Sequence, residues 1–193
     1  GMVDRDGILN FANDFLRAAV KAAFVPDAAA AKKLRLHLAD YFQSQPASLR
    51  TCDELPWLLW QAEARNRLRE CLLDIDRFLK IHERNQEELM HYWVWLGEER
   101  EMSQPLIQAF ESWAVDRGAK PEVGYGASRM CVFLGYAGLD AESEPLLREA
   151  VDIAEKSYGR DHPNVATCLN NLADVLQKTN RLPEAEPLLR RAI

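Results

Sequence analysis

Histidines and closely spaced acids are the residues of this chain whose types could do chemistry. His82 and His91 stand near Glu83, Glu87 and Glu88, and imidazole and carboxylate are groups that zinc accepts. No HExxH occurs, however, and no cysteine stands at ligand spacing, so no metal is expected. His162 sits before Pro163 in a linker and is read as structural, His37 as a packed or partly exposed helix residue. Asp74 with Asp76, and Glu98-Glu99 with Glu101, have the pairing that acid–base catalysis uses. Nothing else converges on them, and they are read as solvated helix faces. The chain has no GxSxG elbow and no GxxxxGK[ST] phosphate loop. Cys52, Cys71, Cys131 and Cys168 lie far apart without a CxxC pair and read as reduced, mostly buried thiols. The expectation is a protein that is not an enzyme and carries no cofactor.

The charge balance points the same way. Across 193 residues, 24 basic and 30 acidic side chains leave a net charge of −6, whereas nucleic-acid binders show a basic surplus on some face. The basic clusters Lys32, Lys33, Arg35 and Arg65, Arg67, Arg69 have acids close by and read as solvated faces. No apolar run approaches the roughly 18 residues that span a bilayer, and no signal peptide opens the chain. A cytoplasmic protein with neither nucleic-acid nor membrane partners is expected.

The elements that must position any site are given by an internal repeat. Residues 163–193 restate residues 121–151: Pro163 matches Pro121, Val165 matches Val123, Leu176 matches Leu134, and Glu186-Pro187-Leu188-Leu189-Arg190 matches Glu144-Pro145-Leu146-Leu147-Arg148. A fixed period of this size marks stacked supersecondary units. Val165, Leu169, Leu172, Ala173 and Leu176 recur at helical spacing. Asn180-Arg181-Leu182-Pro183 breaks that helix, and proline suits the first turn of the next. Ala185, Leu188, Leu189 and Ala192 share a face of the second helix. Cys131, Ser143, Ala150, Ala173, Ala185 and Ala192 are small, which lets helix backbones approach closely.

This small-residue pattern resembles the tetratricopeptide repeat. With Tyr158-Gly159-Arg160-Asp161-His162-Pro163 linking units and LNNLA at Leu169 to Ala173, it is similar to the kinesin-light-chain type. The first copy departs from the type, with Ser128-Arg129 where the second has Asn170-Asn171. The resemblance implies an all-α fold, a right-handed α-solenoid of antiparallel helix pairs, with a protein or peptide ligand held in its concave groove. By the register of the resemblance, groove positions fall on Thr167, Asn170, Asp174, Gln177 and Lys178, and in the preceding unit on Tyr125, Ser128, Val132, Gly135 and Tyr136. The Asn170 carboxamide offers a donor and an acceptor to a peptide backbone. Asn171 is read as a structural bond between helices.

Upstream, residues 8–11 read as a short strand or a helix start, and Phe15, Leu16, Ala19, Val20 and Ala23 as an amphipathic helix. Asp27 is expected to cap a second helix, Gln45 to Ser48 to break the chain, and residues 49–99 to form three or four short helices. Asn85 and Glu88 fit a reciprocal helix start. Met90, Trp93, Val94 and Leu96 form an apolar stripe with Trp95 out of phase, so Trp95 is expected to be the exposed tryptophan. Residues 86–120 echo the repeats as a degenerate unit. Three regions follow: N-terminal helices at 1–45, a helical arm at 46–120, and repeats at 121–193. The last unit stops inside its helix at Ile193, and further repeats are expected beyond it. Residues 8–100 also resemble the segment joining a nucleotide-binding STAND module (NACHT or NB-ARC class) to its repeats, the order of nephrocystin-3-like proteins. That resemblance makes 1–45 a remnant of a winged-helix region and places any NTPase domain upstream. The functional expectation is a non-catalytic protein- or peptide-binding scaffold within a larger signalling or assembly protein. The alternatives are an autoregulatory arm of such an upstream NTPase and, further off, a helical enzyme, which requires a deep closed pocket.

Overall fold

The computed structural model describes residues 2–5, 8–11, 23, 27–118 and 120–193, the two short N-terminal segments as backbone alone. Those two are antiparallel strands, β1 (Met2–Arg5) and β2 (Ile8–Phe11), with Met2 opposite Phe11. The ambiguous stretch at 8–11 is thus a strand, and the helix expected at 15–23 falls almost wholly outside the described residues.

Nine helices follow among the described residues. They are α1 (Ala28–Gln43), α2 (Leu49–Gln61), α3 (Arg65–Leu73), α4 (Ile75–Leu96), α5 (Ser103–Arg117), α6 (Pro121–Tyr136), α7 (Asp140–Tyr158), α8 (Pro163–Lys178) and α9 (Leu182–Arg191). Their starts have local causes. Asp27 accepts the Ala30 amide at 2.7 Å, which satisfies one of the orphan donors of a helix start. Ser48 and Thr51 cap α2 reciprocally. At Asn85 (φ −161°, ψ 94°) α4 breaks and restarts, with Asn85 Oδ1 accepting the Glu87 and Glu88 amides at 3.0 and 3.1 Å. The expected return bond from Glu88 is replaced: its carboxylate accepts from Tyr92 Oη at 2.8 Å and pairs with Arg84 at 2.5 Å.

The repeat is exact in helix starts and in turn geometry. α8 and α9 begin where α6 and α7 begin, displaced by the sequence period. Gly138 (φ 75°) and Asn180 (φ 62°) occupy equivalent left-handed positions. Each turn closes the same way, with Leu139 N donating to Leu134 O at 2.8 Å and Arg181 N to Leu176 O at 2.7 Å. Val123 and Val165, Met130 and Leu172, and Leu134 and Leu176 are buried in pairs. The small positions do what their size permits. Cys131, Ser143, Ala150, Ala173 and Ala185 are all buried, and the Cys131 thiol reaches the Ser143 carbonyl at 3.5 Å. The result is an all-α solenoid of antiparallel pairs, with α6–α7, α7–α8 and α8–α9 as its closest helix contacts within the repeats.

Among the described residues a single apolar core runs from Ala39 through Trp93 and Phe110 to Ala185. The arm meets the repeats where Phe78 of α4 packs edge-on to Phe133 of α6 at 5.3 Å. Gly126 of α6 permits a second close approach, since a Cβ there would lie 3.2 Å from Phe110 Cε2. α5 is held to α4 by Asp76, which accepts from Trp113 Nε1 at 3.1 Å and from Arg117 at 2.9 Å. In the segment 86–117 the two helices touch far less than α6 and α7 do. The tryptophans differ from expectation. Trp57 is the exposed one at 45%, while Trp95 is half-buried with the Arg65 guanidinium 4.5 Å over its ring. Val94 points outward at 53% exposure, and the buried stripe after the restart runs through Leu89, Trp93 and Leu96.

Candidate functional site

The first helices of the two units, α6 and α8, carry every residue assigned to the groove. Tyr125, Val132 and Tyr136 are exposed at 42%, 41% and 51% and lie along one stripe of α6, at positions i, i+7 and i+11. Thr167, Asn170, Asp174, Gln177 and Lys178 are exposed on α8. Ser128 is buried instead, because its Oγ accepts from Asn171 Nδ2 at 2.7 Å. That bond ties the two units together, the structural role expected of Asn171.

Two concavities lie between the helices, one on each side of this bond. The first, about 500 Å³, is lined by Tyr125, Ser128, Arg129, Tyr158, Asn164 and Thr167 among others. The second, about 300 Å³, takes in Val132, Gly135, Tyr136, Asn171, Asp174 and Lys178, with Gln86 of α4 and Asp140 of α7. Asn170 and Gln177 line neither and stand on the open α8 surface. Both spaces are open clefts of mixed lining rather than a closed pocket.

The polar groups of the clefts are held in defined places. Lys178 Nζ lies 2.9 Å from Asp174 and 3.2 Å from Asp140, and these partners, Asp174 first, raise its pKa. Tyr125 Oη donates to Glu83 at 2.5 Å; that bond, then burial, raises the phenol's pKa. The Arg129 guanidinium lies 5.1 Å over the Tyr125 ring. His162 caps α8, its Nδ1 accepting the Asn164 amide at 3.1 Å while its ring stacks on Tyr158 at 4.4 Å. Sequence reasoning missed Arg129, Tyr158, Asp140 and Gln86 as lining residues. Arg129 was findable, being four residues after Tyr125 and three before Val132 on the same stripe. Gln86 was not, since only the packing of α4 against α6 brings it there.

No group of three His, Cys, Asp or Glu side chains that could hold a metal occurs among the described residues. No described helix is long and apolar enough to cross a membrane. Helix pairs repeated at one period and stacked around an open cleft define a helical-repeat scaffold of the protein-interaction class.

Residues 126–193, which take in most of α6 and all of α7 to α9, match the family model of the tetratricopeptide repeat. Across 96% of its length the chain is similar to Nephrocystin-3 of Mus musculus, at 26% identity, and to that of Homo sapiens, at 25%. The similarity therefore reaches the N-terminal helices as well as the repeats. The chain spans about 15% of the length of these curated relatives. A solved structure of Podosopora anserina kinesin light chain nearly identical TPR-like repeats aligns over 91% of this chain and 90% of its own, at 18% identity and a TM-score of 0.48.

Proposed function

We propose that this segment is a non-catalytic scaffold that binds an extended protein or peptide ligand in the α6–α8 groove, within a larger cytoplasmic signalling or assembly protein. Residues 1–45 and 46–120 serve as the helical adaptor that carries the repeats at 121–193. The observation carrying this reading is the stripe of three exposed large side chains, Tyr125, Val132 and Tyr136, along one helix face beside exposed polar groups of the next unit. Exposed apolar surface flanked by hydrogen-bonding groups is what an extended peptide uses: side chains settle on the apolar stripe and backbone amides meet fixed polar groups. Asn170 supplies both a donor and an acceptor. The tetratricopeptide match over these helices supports a protein partner.

The test begins with peptides selected by this chain from a random displayed library. Asn170→Ala is expected to weaken a selected peptide by ~1–2 kcal/mol, the worth of a hydrogen bond or two, with an unchanged melting temperature. Unchanged affinity would remove Asn170 from the site. Equal loss of binding in surface variants far from α6 and α8, with none from Tyr136→Ala, would refute the groove itself.

A further inference from the structure

The junction between arm and repeats holds an unusual set of polar atoms. His82 of α4 is 7% exposed, and neither of its ring nitrogens has a hydrogen-bond partner. Its ring stacks on Phe78 at 6.0 Å and meets Phe133 of α6 edge-on at 6.1 Å. Arg129, one turn before Phe133 on α6, has a buried Nε that is also without a partner. Arg129 further stands apart in the repeats: Arg148, Arg160, Arg181, Arg190 and Arg191 each have a carboxylate within 4 Å, and it has none among the described residues.

A neutral imidazole tolerates this apolar slot; an imidazolium does not. The charged groups that act on His82 are Arg129 from α6 and Glu83 from α4 itself, and the Glu83 carboxylate is occupied by Tyr125 Oη. Burial first, and the Arg129 charge second, therefore hold His82 in its neutral form, with Glu83 opposing them weakly. We propose that His82 is a proton-operated latch between the arm and the repeats: when its ring gains a proton, it is driven out from between Phe78 and Phe133 and α6 separates from α4. Arg129 and Tyr125, which line the larger concavity, move with that separation, so the latch couples acidity to the shape of the groove.

The sign follows from the depressed native pKa. Above about pH 6.5 the ring is neutral in both folded and unfolded chains and costs nothing. As pH falls below that value the opened junction takes up a proton that the closed junction excludes, and each further pH unit lowers the closed-to-open ratio up to about tenfold until the ring in the closed junction also titrates.

The experiment compares the full chain with His82→Phe, which keeps a ring in the slot but cannot be protonated. Amide hydrogen exchange at pH 7.5 and 5.5 is corrected for intrinsic rates and read in α4, α6 and α8. In the wild type the α4 and α6 amides of the junction should lose protection at the lower pH while α8 keeps it, and the variant should show no such selective loss. Equal loss in both proteins overturns the proposal, as does protection that falls uniformly through α8. If His82→Phe does not fold, the wild-type His82 ring is followed by NMR titration instead. The latch requires protonation clearly below pH 6.5 that coincides with loss of α4–α6 protection; titration without any such loss overturns it.

Discussion

Substituting the glycine at the first inter-helix turn measures how strictly the two units share one geometry. Gly138 sits at φ 75°, and an added Cβ would have nothing within 4 Å, so packing contributes nothing to the effect of Gly138→Ala. What remains is backbone energy. A residue with a Cβ in the left-handed region costs ~1–2 kcal/mol. Loss of glycine's freedom in the unfolded chain returns ~0.4–1 kcal/mol. The net expectation is a destabilisation of about 1 kcal/mol. With a urea dependence of about 2 kcal/mol/M, the unfolding midpoint should fall by about 0.5 M. Asn180 holds the equivalent place at φ 62°, and asparagine visits this region more readily than alanine. Gly138→Asn should therefore cost less than Gly138→Ala, and Asn180→Gly should leave the midpoint nearly unchanged. A Gly138→Ala protein as stable as the wild type, or a larger loss from Gly138→Asn, would refute the reasoning that these turns are geometric copies fixed by φ.

Two further substitutions separate structural from surface roles. Asn171→Ala leaves the hydroxyl of Ser128, a residue only 8% exposed, without its donor across the unit interface, so thermal or urea unfolding should register a loss of ~1–2 kcal/mol; stability equal to that of Asn170→Ala would contradict the inter-unit role. Asp76→Ala removes the acceptor shared by Trp113 and Arg117. Because both charged partners are partly solvated, the loss should be no more than about 1 kcal/mol and should shrink in high salt. A loss insensitive to salt would assign the contact to the indole hydrogen bond alone.

The repeat region was legible because its information is local and stated twice. Helix starts, apolar faces and the small residues at helix contacts each follow from spacing, and a second copy checks every assignment. Elsewhere the same reasoning reached less far. Asn85 announced a helix start, but the partner of Glu88 did not follow, because Arg84 and Tyr92 compete for its carboxylate only once α4 is formed. Trp95 fell out of phase with its neighbours yet is sheltered by Arg65 from another helix. Ser128 stood at a groove position by register, but the next unit takes up its hydroxyl.

By itself, then, the order of residues determined the helices, their period and the stripe on α6, since these depend on contacts three, four and seven positions apart. Tertiary structure alone decided the rest: that α4 lays Gln86 and Glu83 along the groove, that His82 is sealed between Phe78 and Phe133, and that Arg129, among the described residues, lacks an acid while every other repeat arginine has one. Such facts arise between helices distant in the chain, where burial and charge are set by what the packing brings alongside.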